Sequence, residues 1–275
     1  MRLTFAFSPC PNDTFMFEPM VNGKIDLQGL AFDFVYADVE MLNKSAFRQE
    51  HHITKLSYNA YTRLYQQYQL LDSGSALGRK CGPLLIAKQH ILEDELNNIK
   101  IAIPGINTTA YLLLKYAFPS VTHCEEWLFS EIEDAILAGS VDAGVIIHEN
   151  RFTYQNKGLV KILDLGEYWE SRTKSPIPLG GIAVHRDLDD DIKRRVNKVI
   201  TDSVSYAFSH PKDGMTFIKS HAQELSEAVI QSHIQLYVNE YSKNLGEDGK
   251  RAILTLFQTV NPAFKSSELA NLFLQ

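Results

Sequence analysis

A histidine stands directly after a short apolar run near the middle of the chain, where its side chain could take part in proton transfer. The run from Gly144 to Ile147 is rich in β-branched residues, which favours a buried strand over an exposed one. His148 follows it, and in open α/β sheets ligands bind just beyond the carboxyl ends of strands. Because an imidazole titrates near neutral pH, His148 could accept a proton from a substrate. The alternative, that His148 only ends the strand and bonds a neighbouring backbone group, stays open.

Two threonines stand at the end of a second predicted strand. The strand from Ile99 to Ile103 is followed by a glycine turn, and the next helix is predicted from Ala110 to Phe118. Thr108 and Thr109 therefore lie at the helix start, where free N–H groups and hydroxyls can bind a carboxylate or phosphate. Ordinary helix capping accounts for one threonine equally well, so both interpretations remain.

The segment after the first predicted strand is also unusual in composition. Two prolines interrupt regular structure between Ser8 and Thr14. Asn12 or Asp13 could then cap a helix that runs from Thr14 to Val21. This segment too would lie at the carboxyl end of a strand.

Two series of alternating strands and helices would position these residues. The first series is predicted as strands Leu3–Phe7, Ala31–Tyr36 and Ile53–Ser57 with helices Thr14–Val21, Val39–Phe47 and Tyr58–Tyr65. The second is predicted as strands Pro83–Ala87, Ile99–Ile103, Val121–Cys124, Gly144–Ile147 and Val160–Leu163 with helices Ala110–Phe118 and Ile132–Ala138, the latter after a capping box at Ser130–Glu133. Such alternation indicates parallel sheets covered by helices.

The last third of the chain changes to long helical patterns. After an extended passage over Pro176–Val184, helices are predicted at Asp189–Phe208, Met215–Ser220, Glu224–Asn239, Gly249–Val260 and Ser266–Leu274. At 275 residues the chain is long enough for two lobes. We predict an α/β fold of two lobes with a central cleft, with lobe one formed by residues 1–88 and 183–275 and lobe two by residues 89–182.

Composition excludes several classes of function. The hydrophobic fraction is 45%, enough for real cores, and the net charge of −6 comes with lysines and arginines scattered along the chain. No basic face for nucleic acid or an anionic membrane is therefore expected. The Gly/Ser stretch Leu70–Gly78 follows neither the P-loop pattern nor G-x-G-x-x-G, so a turn is expected there rather than a phosphate site.

The cysteines and the amino terminus indicate the cellular compartment of the protein. Three cysteines, Cys10, Cys81 and Cys124, are far apart and have no spacing typical of a metal site. They favour a reducing environment. Neither a long apolar leader nor an apolar stretch of membrane-spanning length is visible, so we expect a cytoplasmic protein.

Several motifs together resemble the 1,4-dihydroxy-6-naphthoate synthases of the futalosine route to menaquinone. They are the opening Phe7-Ser8-Pro9-Cys10-Pro11-Asn12-Asp13-Thr14-Phe15, the segments Thr54–Tyr58 and Gly74–Gly78, the turn from Pro104-Gly105 to Thr108-Thr109-Ala110, and Ile147-His148-Glu149. The resemblance extends from the amino terminus to about Ala183. The first motif is specific to this family, whereas the others alone would be weak.

The resemblance implies a two-lobed type II periplasmic-binding-protein-like fold used as a lyase without cofactor or metal. The substrate would be cyclic dehypoxanthinyl futalosine, cleaved to 1,4-dihydroxy-6-naphthoate and a sugar-derived fragment. His148 would be the proton acceptor. The residues implied to bind substrate are Lys55, Leu56, Ser57, Thr108, Thr109, Asn12 and Asp13.

Two other functions compete with this interpretation. A solute-binding protein for a small aromatic carboxylate would use the same cleft without chemistry, and a chorismate dehydratase would share the fold. A Ser/His hydrolase is disfavoured because the chain has no G-x-S-x-G elbow. In each of these cases the partner is a small molecule, and the sequence leaves the oligomeric state open.

Overall fold

The computed structural model describes residues 1–222 and 226–274. The chain folds into two compact units, Met1–Gly78 with Pro178–Gln275 (unit 1) and Arg79–Ile177 (unit 2). The chain passes from unit 1 to unit 2 after Gly78 and returns after Ile177. The boundaries predicted from the sequence, after residues 88 and 182, both lie later in the chain.

The strands belong to two sheets and are numbered in chain order. They are β1 Arg2–Phe7, β2 Ala31–Tyr36, β3 Ile53–Ser57, β4 Tyr68–Leu70, β5 Ala76–Gly78, β6 Leu84–Ala87, β7 Ile101–Ile103, β8 Cys124–Glu126, β9 Ala143–Ile146, β10 Val160–Asp164 and β11 Ile177–His185.

The helices are numbered in the same way. They are α1 Pro11–Val21, α2 Val39–Phe47, α3 Tyr58–Leu64, α4 Thr109–Ala117, α5 Ile132–Ala138, α6 Asn150–Thr153, α7 Leu165–Thr173, α8 Asp190–Ser209, α9 Met215–His221, α10 Glu227–Tyr237, α11 Glu240–Lys243 and α12 Gly246–Val260, with 3₁₀ turns at Glu95–Asn98, Phe129–Glu131, Tyr154–Lys157 and Ser266–Leu272. In the described part of the chain, none of the helices combines the length and the apolar character that a bilayer crossing requires.

Unit 1 is built on a mixed sheet with the strand order β2-β1-β3-β11-β4, and β5 pairs with β11. Strand β1 is parallel to β2 and β3, whereas β11 is antiparallel to β3 and β4. Three buried rings, Phe5, Phe7 and Phe17, join β1 to α1 with centroids 4.9 to 5.0 Å apart. Since β1, β2 and β3 run in one direction, the segments that follow them leave the same edge of the sheet.

Unit 2 has a second mixed sheet with the order β10-β6-β9-β7-β8. Strand β7 is parallel to β8 and β9, and β6 is antiparallel to β9 and β10. The buried side chains Leu84, Ile86, Ile132, Ile136 and Ile146 belong to its core. The carboxyl ends of β7 and β9 therefore meet at one edge, where both the loop before α4 and the turn after β9 begin.

Helix α7 and the segment before β6 pack backbone against backbone. A Cβ atom on Gly82 would lie 2.3 Å from Cα of Gly166, and one on Gly166 would lie 2.7 Å from Cα of Gly82. Only glycine fits at either position without moving the chain. This contact holds the start of α7 close to the carbonyl of Gly82.

The sequence patterns located many elements correctly and misplaced others. The predictions for β2, α2 and β3 are confirmed to the residue. The predicted caps of α1 are wrong, because Pro11 occupies the first turn and Cys10 is the N-cap residue. Asn12 and Asp13 consequently lie inside the helix.

Three further differences concern local structure. The predicted capping box before α5 is wrong, because Glu131 precedes the helix in a 3₁₀ turn without a side-chain cap. The stretch Leu70–Gly78, expected to be only a turn, contains the end of β4 and all of β5. The predicted helix start at Glu224 lies outside the described residues, and α10 begins at Glu227 within them.

Candidate functional site

A buried ion pair lies where α1 begins against β3 in unit 1. Nζ of Lys55 donates to Oδ1 of Asp13 at 2.5 Å, and the two side chains are only 8% and 1% exposed. Ser8 adds its hydroxyl at 2.8 Å and its backbone N–H at 3.3 Å to Oδ2 of Asp13. The carboxylate also lies in the first turn of α1, where the helix dipole favours a negative charge. The pair is therefore neutral overall and well supplied with hydrogen bonds.

Asn12 continues this group of polar side chains away from the ion pair. Its Nδ2 donates to Oδ1 of Asp13 at 2.8 Å, and its Oδ1 lies 3.0 Å from Nε2 of His233 on α10. His233 was not singled out from the sequence, because it lies in a helix with no motif around it. Asp13 is thus in direct contact with both Asn12 and Lys55.

Ser57 and Leu56 occupy opposite faces of β3, because side chains alternate along a strand. Ser57 makes a reciprocal pair with Asn43 of α2, donating its N–H to Oδ1 and accepting from Nδ2, both at 3.0 Å. Asn43 is fully buried and was also missed. Leu56 is buried as well, and its backbone pairs with Gly181 of β11.

The loop before α4 in unit 2 is shaped by a glycine and closed by a threonine. Gly105 has φ 142°, a conformation that other residues rarely adopt. The hydroxyl of Thr108 donates to the carbonyl of Gly105 at 2.7 Å and accepts the N–H of Tyr111 at 3.2 Å. Thr108 is therefore the N-cap of α4, and Thr109 is its first residue. A helix start of this kind presents backbone N–H groups as hydrogen-bond donors.

His148 lies in a turn just past the carboxyl end of β9. Its φ is 56°, in the left-handed region that costs a residue other than glycine about 1–3 kcal/mol. The imidazole packs edge-on against Phe129, with ring centroids 4.8 Å apart. Since β7 and β9 are parallel neighbours, His148 and the start of α4 lie at the same edge of the sheet. This edge combines a titratable ring with helix-start N–H groups, which suits proton transfer from an anionic substrate.

Arg151 fixes the turn that carries His148. Its guanidinium donates to Oδ2 of Asp164 at 2.7 Å, to the carbonyl of Lys80 at 3.1 Å and to the carbonyl of Gly82. The side chains of Arg151 and Asp164 are 15% and 2% exposed, and Asp164 also caps α7. The turn after β9 is thereby attached to the Gly82 contact and to the end of β10. Nothing in the spacing of the sequence had indicated this role for Arg151.

Cys81 lies beside this cluster but is unsuited to nucleophilic chemistry. Burial raises the pKa of its thiol to about 12, although the charge of Arg151 lowers it in part. A thiol with so high a pKa stays protonated at neutral pH, and the thiolate is the nucleophile. Among the described residues, neither unit by itself places three metal-ligating side chains within reach of one ion.

Comparison with known proteins gives the family. A family model described as menaquinone biosynthesis matches residues 3–261. The 1,4-dihydroxy-6-naphthoate synthase of Thermus thermophilus is 43% identical over 256 residues, which are 93% of this chain and 92% of that protein. The chain belongs to this naphthoate synthase family. The enzyme of the same name from Streptomyces coelicolor is 41% identical, over 91% of this chain and 90% of its own length.

The naphthoate synthase family resemblance seen in the sequence is thus confirmed, and the chain is an enzyme of menaquinone biosynthesis. A crystal structure of an Archaeoglobus fulgidus protein matches with a TM-score of 0.89 and 33% identity, covering 96% of this chain and 98% of that one. The periplasmic aliphatic sulphonate-binding protein of Escherichia coli matches with a TM-score of 0.66 at 10% identity, covering 100% and 92%. The predicted periplasmic-binding-protein-like α/β fold is therefore also confirmed.

We expect Arg151→Met to destabilise unit 2 by about 3 kcal/mol, because it leaves the buried carboxylate of Asp164 without its counter-charge. Both tryptophans, Trp127 and Trp169, lie in unit 2, so urea unfolding followed by tryptophan fluorescence measures this unit.

The matched control is Arg79→Met. Arg79 pairs with Glu170 at 3.5 Å, but its side chain is 51% exposed, so we expect a loss of at most about 1 kcal/mol. Equal small losses for both variants would show that the Arg151 contacts do not fix the turn.

Proposed function

We propose that this member of the naphthoate synthase family converts cyclic dehypoxanthinyl futalosine to 1,4-dihydroxy-6-naphthoate, as a cytoplasmic lyase that needs neither a redox cofactor nor a metal. His148 is the general base in this proposal. The observation that carries it is the placement of His148 just past β9, at the same sheet edge as the start of α4. The names of the two relatives support the choice of product.

The chemistry requires one proton to be removed before the carbon skeleton breaks. An imidazole can take that proton at physiological pH because its pKa lies close to neutrality. Loss of the proton starts ring opening and cleavage of a carbon–carbon bond, which releases 1,4-dihydroxy-6-naphthoate and a sugar-derived fragment. Formation of an aromatic naphthol drives the reaction forward. Because the electrons of the broken bond remain in the two products, no external oxidant is required. In our proposal the edge-on contact with Phe129 helps to orient the ring of His148 for this step.

The substrate also carries a carboxylate, which needs hydrogen-bond donors. In our proposal Thr109 supplies its hydroxyl and its helix-start N–H, while Lys55 and Ser57 supply further contacts. The hydrogen bonds of the Thr108 hydroxyl are made to Gly105 and Tyr111. Thr108 therefore shapes the loop and caps α4, and a direct contact of its side chain with substrate stays a prediction.

Incubation of the purified protein with the cyclic futalosine derivative tests the proposed function directly. We expect naphthoate absorbance to appear at a rate proportional to enzyme concentration and without added metal or redox cofactor. A parallel incubation with chorismate distinguishes the related dehydratase activity. Substrate that is bound but recovered unchanged would instead indicate a solute-binding protein.

We expect His148→Asn to fold normally and to lose about 10² to 10⁴-fold in kcat, the usual contribution of a general base. Asparagine is chosen because it tolerates the left-handed backbone of this position. The control is His123→Asn, which changes an exposed histidine of the same unit and should leave turnover intact. More than about a tenth of wild-type kcat in His148→Asn would refute the assignment.

We expect the two neighbouring threonines to respond differently to alanine. Thr109→Ala should raise KM about tenfold, because a hydrogen bond to a charged group is lost, and should leave the melting temperature nearly unchanged. Thr108→Ala should instead lower stability by about 1 kcal/mol through loss of the N-cap. Steady-state kinetics and thermal unfolding of both variants separate the two roles. A wild-type KM in Thr109→Ala would contradict carboxylate binding there.

A further inference from the structure

A row of buried polar side chains in unit 1 ends at a histidine that the proposed reaction does not use. Lys55 Nζ and Asn12 Nδ2 both donate to Oδ1 of Asp13, at 2.5 and 2.8 Å. The side-chain oxygen of Asn12 in turn lies 3.0 Å from Nε2 of His233. His233 is completely buried on α10, so water does not compete for this contact.

The direction of each hydrogen bond in this row follows from the chemistry of its members. A carboxylate paired with an ammonium only accepts hydrogen bonds, so Asn12 must turn its NH₂ group toward Asp13. Its oxygen then faces His233, whose Nε2 must carry the proton. The donors therefore run one way, from His233 to Asn12 and from Asn12 to Asp13.

We propose that His233 and Asn12 are positioning residues that hold the Asp13–Lys55 pair in place for substrate binding. The inference rests on the proposed function, in which Lys55 contacts the substrate. If the amide of Asn12 rotated by half a turn, its oxygen would face the carboxylate of Asp13 and repel it. The N–H of His233 prevents this rotation because it requires an acceptor. Ser8 holds the other carboxylate oxygen, so Asp13 and the ammonium bound to it stay fixed.

The chain offers a matched control for the loss of a buried hydrogen bond on α1. Ser203 of α8 is also completely buried, and its hydroxyl donates to the carbonyl of Met16 at 2.8 Å and accepts the N–H of Met20 at 3.3 Å. These contacts hold the same helix that carries Asn12 and Asp13, but none of them reaches the ion pair. Ser203→Ala therefore weakens the packing of α1 without changing the row of donors.

The test compares His233→Leu, His233→Gln and Ser203→Ala in the full-length enzyme with the cyclic futalosine derivative as substrate. We expect His233→Leu to raise KM about tenfold, equivalent to about 1.4 kcal/mol, with kcat within about twofold of wild type. His233→Gln should restore KM, because its amide N–H can reach Asn12 in place of the imidazole. Ser203→Ala should lower the melting temperature and leave KM unchanged.

Three results would overturn the inference: a wild-type KM in His233→Leu, a KM in His233→Gln as high as in the leucine variant, or an equal rise in Ser203→Ala. If His233→Leu does not fold, Asn12→Asp takes its place. That change keeps an acceptor for His233 but sets a second carboxylate against Asp13, so KM should rise. An unchanged KM would again overturn the inference.

A nitrogen NMR spectrum of the histidine side chains separates this inference from the proposed function. We expect a protonated Nε2 with slow hydrogen exchange, assigned to His233 by its disappearance in His233→Gln. An unprotonated Nε2 at neutral pH would refute the row of donors, whether or not the protein forms naphthoate. Conversely, a wild-type protein that forms no naphthoate but shows the protected proton would refute only the proposed function.

Discussion

The buried ion pair between Lys55 and Asp13 constrains how α1 packs against β3 in unit 1. Transfer of two charges out of water is costly, and removal of one partner from such a pair typically costs about 3–5 kcal/mol. The carboxylate of Asp13 is compensated by the ammonium and by donors from Ser8 and Asn12. The start of α1 and the middle of β3 must both be correctly placed for these bonds to form, and helix α10 adds the contact of His233 with Asn12. The polar group is therefore complete only when all three elements have reached their native positions.

Unit 2 also contains a buried carboxylate, which is compensated by a guanidinium instead of an ammonium. Arg151 compensates Asp164 and also satisfies carbonyl groups at Lys80 and Gly82. A guanidinium suits this task because its donors form a rigid planar fork, whereas an ammonium is a compact point charge. One side chain thus joins the turn that bears His148 to the backbone at residues 80–82 and to the carboxylate at the end of β10. The catalytic histidine of our proposal owes its position to a residue that need not touch the substrate.

The sequence predicted those features that depend on neighbours along the chain. The apolar run before His148 and the strands β2 and β3 were recognised because their residue patterns are local. The caps of α1 were wrong because a proline at the first turn outweighed the preference of Asn12 and Asp13 for the cap position. Asn43 could have been found, since it is a polar residue on the buried face of α2. His233 could not, because its partner lies 221 residues away and no pattern records that contact.

The left-handed backbone at position 148 restricts which residues can occupy this position. Asparagine, aspartate and glycine adopt this conformation readily, whereas β-branched residues are strongly disfavoured in it. The main chain therefore limits which residues can replace His148, independently of their acidity. A lineage that exchanged the imidazole for a β-branched side chain would first have to rebuild the turn after β9.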